Sequence, residues 1–521
     1  MKYNFSLRSL RRMMFVITAA SASMTAQPRL AGIFGDRMVL QRDKPVNVWG
    51  WDAPATTVRV SFAGQSVSAV AAGDSSWMIT LSPMAAGGPY ELIATGSSVH
   101  RCTDIYVGEV WLASGQSNME FRLDRSSEGE EAIASPRDTL FRLCTVPRAL
   151  AEQPQKDGAA TWVSSGDRTT GRFSAVAYWF GRMLRDSLRV PVGIIHSSWG
   201  GTAAEGWMPR EALEKEPAFR SILERWEENL RTYPEKMAEY QRRKPEIDAK
   251  WLKDSAEAIA AHRAPPARPA PPKGPGNRDT PTGQWNAMIH PWLSTTLRGF
   301  IWYQGEANAT RATQYRTLFP ALIQCWRDGW KDSTLPFYFV QLPNLERNLD
   351  LHKEGWPDLR DAQLATINVP YTGMTVTIDV GDPMDLHPRI KRPVGERLAR
   401  LALHHTYGWS DVVPSGPLYA GHRVEGSRIR VSFAEIGEGL RGRSGADLNG
   451  FLIAAEDRVF RPAMARIDGD EVVVWREDVT HPAAVRYAWA ENPEASLLNV
   501  AGLPASPFRT DIWKEVSFGP P

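Results

Sequence analysis

Three cysteines in 521 residues are too few for a disulfide-built scaffold. Cys102, Cys144 and Cys325 allow one bridge at most, and at least one thiol stays single. CxxC pairs, HExxH helices and clustered His–carboxylate sets are also missing, so metal and cofactor are both expected to be absent. Charge of one sign is lacking too. With 61 Lys and Arg against 59 Asp and Glu, nothing marks a surface for nucleic acid or an anionic membrane. Beyond residue 26 no apolar run approaches the length of about 18 residues that a membrane span needs. No fixed-period repeat occurs, which sets solenoids aside.

What is present begins with a leader. Lys2, Arg8, Arg11 and Arg12 precede the short apolar stretch "MMFVITAASASMTA", which ends before Gln27. A positive start, a short apolar centre and a small-residue exit read as a secretory signal over residues 1–26. The mature protein is therefore expected in the periplasm or outside the cell. No cysteine adjoins the exit, which argues against a lipid anchor.

The length suggests several domains. Residues 27–105 alternate short β-rich runs ("PVNVWGW", "TTVRVSF", "SSWMITL") with Gly, Pro and Asp turns, as a small β-sandwich does. From 106 to about 410, apolar strands alternate with helical stretches, which implies an α/β domain with a parallel sheet. A charged helical and proline-rich insertion interrupts it at about 211–280 and reads as an exposed strap. Residues 411–521 return to β-rich runs. The 20 tryptophans suit sugar stacking in an exported protein, although core packing accounts for most of them.

Four polar stretches end apolar strands: "SGQSNM", "HSSWGGTAAEGW", "WYQGEAN" and "DVGDPMDLHPRIKRPVGERLAR". Open parallel sheets bind ligands at that edge. Ser117 lies between Gln116 and Asn118 and is a candidate nucleophile; a serine there also serves as a turn or cap residue. A hydroxyl needs a base, and His387 is the natural one, with Asp385 or a backbone carbonyl to orient its ring. Acyl transfer needs donors for an oxyanion, which the Ser117 amide, Gly200 and Gly201, and an amide side chain can supply. Gln304 is the favoured amide, with Asn308 as the alternative; Glu306 between them has to find a partner if buried. Arg389 or Lys391 either meets a sugar carboxylate or begins a solvent-facing helix.

These stretches, together with "LAGIFGDRMVLQRDKPVNVWGWDAP" and "AVRYAWAENP", resemble the sialate O-acetylesterases, a family of SGNH-superfamily serine esterases. The resemblance covers nearly the whole mature chain except the insertion. It implies an SGNH-hydrolase-like three-layer domain flanked by N-terminal and C-terminal β-sandwich-like modules. It also implies Ser117 as nucleophile, His387 as general base and Gly200 as an oxyanion donor. The family's superfamily pattern ends in Asp-x-x-His, whereas this chain reads Asp385-Leu386-His387. The implied partner is an acetylated carbohydrate, with O-acetylated sialic acids first. Acetylated xylan or another plant polysaccharide is the alternative, and a non-catalytic carbohydrate-binding protein the reading from another class.

Overall fold

Strands that are apolar on both sides must be covered on both faces, and the runs around Trp111, Ile194, Trp302 and Phe339 are of this kind. The structure, a computed structural model, describes residues 29–166, 170–261, 263, 265–266, 268–346, 355–513 and 516–518. The leader expected over 1–26 lies outside the described residues.

The central sheet is built from β1 (Val99–Gly115), β2 (Asp138–Thr145), β3 (Thr161–Ser165), β4 (Val192–Ser198), β5 (Gly299–Tyr303), β6 (Phe337–Val340) and β7 (Thr372–Thr375). Their order is β3-β2-β4-β1-β5-β6-β7. Neighbours run parallel except β3, which pairs antiparallel with β2 at one edge. From β1 the chain crosses to β2 and the edge strand β3, returns to place β4 beside β1, and then adds β5, β6 and β7 outward on the other side. The carboxyl end of β1 is thus the topological switch point, where loops diverge and leave a crevice.

The helices are α1 (Ala175–Leu188), α2 (Arg220–Ala260), α3 (Ala312–Trp330), α4 (Trp356–Ala365) and α5 (Arg392–Leu401). Strand alternation shares them between the two faces. Phe337 and Phe339 meet Phe319 of α3, while Tyr338 between them stacks on Trp111, which meets Phe180 of α1. Ser174 caps α1 by accepting the Ala177 N–H at 3.1 Å. Helix α5 crosses α1 at Gly395, where an added Cβ would lie 2.6 Å from the Val176 carbonyl oxygen. Six of the tryptophans (Trp111, Trp207, Trp292, Trp302, Trp326 and Trp356) are fully buried in this core.

Strand β1 also carries the N-terminal β segment. Val39–Gln41 runs parallel to its Tyr106–Gly108 stretch, and Gly87–Thr95 pairs antiparallel along its first half. The boundary read at residue 105 therefore falls inside a continuous strand. The C-terminal segment forms two five-stranded sheets and a small two-stranded one. All three cysteines are free thiols.

Helix α2 begins against the core through Phe219 and Ile222. The proline-rich stretch after it folds back along the helix: Trp251 Nε1 donates to the Pro266 carbonyl at 2.9 Å, and Arg268 pairs with Asp248. Gly274 packs on the Tyr233 ring. The strap is thus laid against α2, because aromatic rings on the helix give prolines a surface to cover. Among the described residues no helix is long and apolar enough to cross a membrane.

Candidate active site

Strand β1 ends in a Gly115–Gln116 turn, and Ser117 opens a one-turn helix, Ser117–Glu120. As the first helical residue, Ser117 has no carbonyl one turn back for its N–H to bond. Ser117 is half-buried, and its neighbours Gln116 and Asn118 are buried. The Gln116 side chain accepts from the Ala307 and Gly305 amides at 3.2 and 3.4 Å, tying this turn to the loop after β5. His387 lies on the loop that precedes α5. Ser117 and His387 line one open cleft of about 490 Å³ together with Glu120, Arg148, His196 and Ser198. No hydrogen bond joins their side chains; such bonds often tighten only with substrate in place.

Asp385 stands beside His387, its Oδ1 accepting the His387 backbone N–H at 2.8 Å. The same oxygen is 3.9 Å from Nδ1 of the ring, beyond hydrogen-bonding distance. The carboxylate therefore shapes the loop and acts on the imidazole through space. Burial, then the nearby Lys391, hold the His387 imidazole below its ordinary value, and Asp385 acts against them.

Asn118 joins the two halves of the site. Its Nδ2 donates to Glu306 Oε1 at 2.6 Å and to the Leu386 carbonyl at 3.0 Å, while its Oδ1 accepts from Lys391 Nζ at 2.5 Å. The residue after the serine thereby holds the residue before the histidine. Lys391 is 1% exposed and faces the rings of Phe121 and Tyr303 at 4.9 and 5.5 Å. It neither meets solvent nor reaches toward a sugar carboxylate, as the sequence reading had allowed. Burial pulls its ammonium down to about 7, against Glu306 and Asp385. Burial likewise pushes the Glu306 carboxyl up, and its Oε2 has no hydrogen-bond partner among the described residues.

Gly200 packs directly on the serine: an added Cβ would lie 3.2 Å from Ser117 Cβ. Its N–H donates to Glu120 Oε2 at 2.8 Å, and the other oxygen of Glu120 accepts from Arg148. Gly201 instead faces the Arg278 guanidinium in a neighbouring cavity. Gln304, the favoured amide donor, is used elsewhere. Its amide donates to Asn308 Oδ1 at 2.7 Å and to the Thr202 carbonyl at 3.3 Å, and its Oε1 accepts from the Tyr315 hydroxyl at 3.1 Å. Asn308 accepts from the Ala204 amide and donates to Glu205. Both amides brace buried loops and neither lines the cleft.

Other cleft residues escaped the sequence reading. His196 is buried, with Nε2 2.5 Å from Ser198 Oγ; burial, then Arg148, pull its imidazole down to about 4, so it is neutral near pH 7. Arg122, Arg125, Arg148 and Arg172 also line the cleft. His196 and Ser198 open the polar stretch "HSSWGGTAAEGW" without a role being read for them, and Glu120, three residues after Ser117, reads as helix capping. Arg389 donates to the Arg125 carbonyl at 3.1 Å. Among the described residues no group of three or more His, Cys, Asp or Glu side chains is placed to hold a metal ion.

Comparison with known proteins agrees with this architecture. The family model "Carbohydrate esterase, sialic acid-specific acetylesterase" matches residues 282–404. The mouse sialate O-acetylesterase is 32% identical over 446 residues, spanning 78% of each chain. The human sialate O-acetylesterase is 31% identical over 444 residues, 75% of this chain and 73% of its own. A solved carbohydrate acetylesterase from Xanthomonas citri superposes with a TM-score of 0.80 at 37% identity, covering 94% of this chain and all of its own. Identity at this level across most of both chains places this chain in the sialate O-acetylesterase family of carboxylic ester hydrolases.

Proposed function

We propose that the protein is an exported serine esterase that removes O-acetyl groups from sugars, O-acetylated sialic acids first among them. The observation that carries this reading is the meeting of Ser117 and His387 in one cleft at the carboxyl end of β1. Arg125 and Arg172, the cleft arginines with no carboxylate partner among the described residues, suit a substrate with a carboxylate. In this reading residues 1–26 direct export, an SGNH-hydrolase-like three-layer domain spans 106–410, and β modules over 27–105 and 411–521 flank it.

Ser117 Oγ bonds to the acetyl carbon while its proton passes to His387, which is neutral above its depressed pKa. The negative charge that gathers on the carbonyl oxygen meets the amides of Ser117 and Gly200. The oxyanion takes over the Gly200 N–H from Glu120, and Arg148 retains the displaced carboxylate. Collapse expels the sugar hydroxyl, which takes the proton from His387 and leaves an acetyl-enzyme. Water, deprotonated by His387, then releases acetate and restores the serine.

Acetate release from O-acetylated N-acetylneuraminic acid and from acetylated xylan tests both parts. Ser117→Ala is expected to lower kcat by at least about 10³-fold. Full activity in that variant sinks the serine mechanism. Faster turnover of xylan than of the sialate moves the substrate to plant polysaccharides.

A further inference from the structure

The insertion between β4 and β5 does more than decorate the surface. Between α2, the strap that follows it and the loop after β5 lies a second cavity of about 530 Å³, within the range of small-ligand sites. It adjoins the first. Gly200 touches Ser117 on one side, and Gly201, at φ +77°, touches Arg278 on the other; an added Cβ on Gly201 would lie 2.7 Å from Arg278 Cζ. The Gly200–Gly201 turn therefore stands between Ser117 of the first cleft and Arg278 of the second cavity.

The lining is uneven in charge. Arg311 is paired with Glu205 at 2.7 Å, and Lys273 with Asp279 at 2.5 Å. Arg225 and Arg278 line the same space with no carboxylate partner among the described residues; Arg225 donates to the Ser221 hydroxyl at 3.3 Å. Partial burial, then the nearby Arg311, disfavour the Arg225 charge and Glu205 favours it; Arg225 and Arg278 both stay exposed on the cavity wall, open to an incoming anion. Half-buried Trp226 adds a flat indole to the wall. Two uncompensated guanidiniums beside an aromatic face form a site for a ring that carries a carboxylate.

The geometry points to a second sugar subsite in this cavity, which binds an acidic residue of an oligosaccharide next to the acetylated one. The inference rests on the esterase reading above in one respect only, that the acetylated residue occupies the Ser117 cleft. The acidic residue can be a second sialic acid or a uronate, and two probes separate these sources.

The test is a titration of the Ser117→Ala protein, which binds without turnover. The ligands are an α2,8-linked sialic acid trimer and a glucuronic acid-bearing xylo-oligosaccharide, with the unsubstituted xylo-oligosaccharide as neutral control. At least one acidic ligand is expected to bind tenfold or more tightly than the neutral one. Adding Arg278→Met or Trp226→Ala to that protein is expected to weaken acidic-ligand binding at least tenfold, with melting temperature held close to the parent. The ligand that binds identifies the source. Equal affinity for acidic and neutral ligands, or affinity unchanged by both substitutions, overturns the proposal. Because the readout is binding, it stands apart from the kcat test of Ser117, and each can fail alone.

Discussion

Asn118 carries more of the site than its position beside the serine suggests. One amide side chain contacts Glu306, Lys391 and the loop of His387, so the distance from Ser117 to His387 depends on it. Lys391 is then a positioning residue, and it also depresses the His387 imidazole; Asp385 raises it. A general base works only when unprotonated, so under the proposed mechanism the acid limb of kcat/KM follows the His387 pKa. Lys391→Met removes a lowering influence and is expected to move that limb to higher pH. Asp385→Asn removes a raising one and is expected to move it lower, with kcat down on the order of tenfold. That is far less than the roughly 10⁴-fold seen where a buried aspartate bonds the ring directly. Profiles of 4-nitrophenyl acetate hydrolysis against pH check both. Shifts in the same direction would show that charge on these two groups does not reach the imidazole.

At the scale of elements, the loop after β5 shows where sequence reading succeeds and where it stops. An apolar strand followed by Gln304, Gly305, Glu306, Ala307 and Asn308 marks a polar site at a strand end, and the fold puts that loop against the serine turn through Gln116. Which way each amide points is not a local property. Gln304 is turned inward by Thr202 and Tyr315, residues from other elements, so its role as brace was invisible in the string. The same holds for Lys391: a lysine opening a helix reads as solvent-facing, and only the rings of Phe121 and Tyr303 bury it. Gln304→Ala is accordingly expected to leave buried polar groups without partners, at a cost of about 1–3 kcal/mol. Thermal melting and kcat should fall together. A fully stable variant with kcat alone reduced about 10²-fold would return Gln304 to the oxyanion site.

For the whole molecule, the α/β alternation and the two flanking β regions could be read from periodicity, because period 2 and period 3.6 are properties of the string. How the regions join could not. Strand β1 runs through the expected boundary without a break, so the N-terminal segment and the central sheet share a backbone ladder. The C-terminal segment is tied by a different device, a fully buried guanidinium. Arg360 of α4 donates to the Leu342 and Pro343 carbonyls in the catalytic region and to those of Ala490 and Glu491 in the C-terminal one, at 2.7–3.0 Å. Five N–H donors in a rigid fork can serve carbonyls from two segments at once, which a lysine cannot. Arg360→Leu fills much of the space but takes this donor from the Leu342 and Ala490 carbonyls, while Pro343 keeps the Trp356 indole N–H and Glu491 the Leu345 amide. The expected loss is about 3 kcal/mol, seen as a melting temperature lower by several degrees. Arg360→Lys should recover only part of it. Ester hydrolysis well below the transition should stay near wild type, since Arg360 does not line the Ser117 cleft. An unchanged melting temperature would mean that apolar contacts and the other polar ties, such as Gln341 to Ser506 and Arg509 to Asp361, hold the C-terminal sheets, with the buried arginine contributing no net stability.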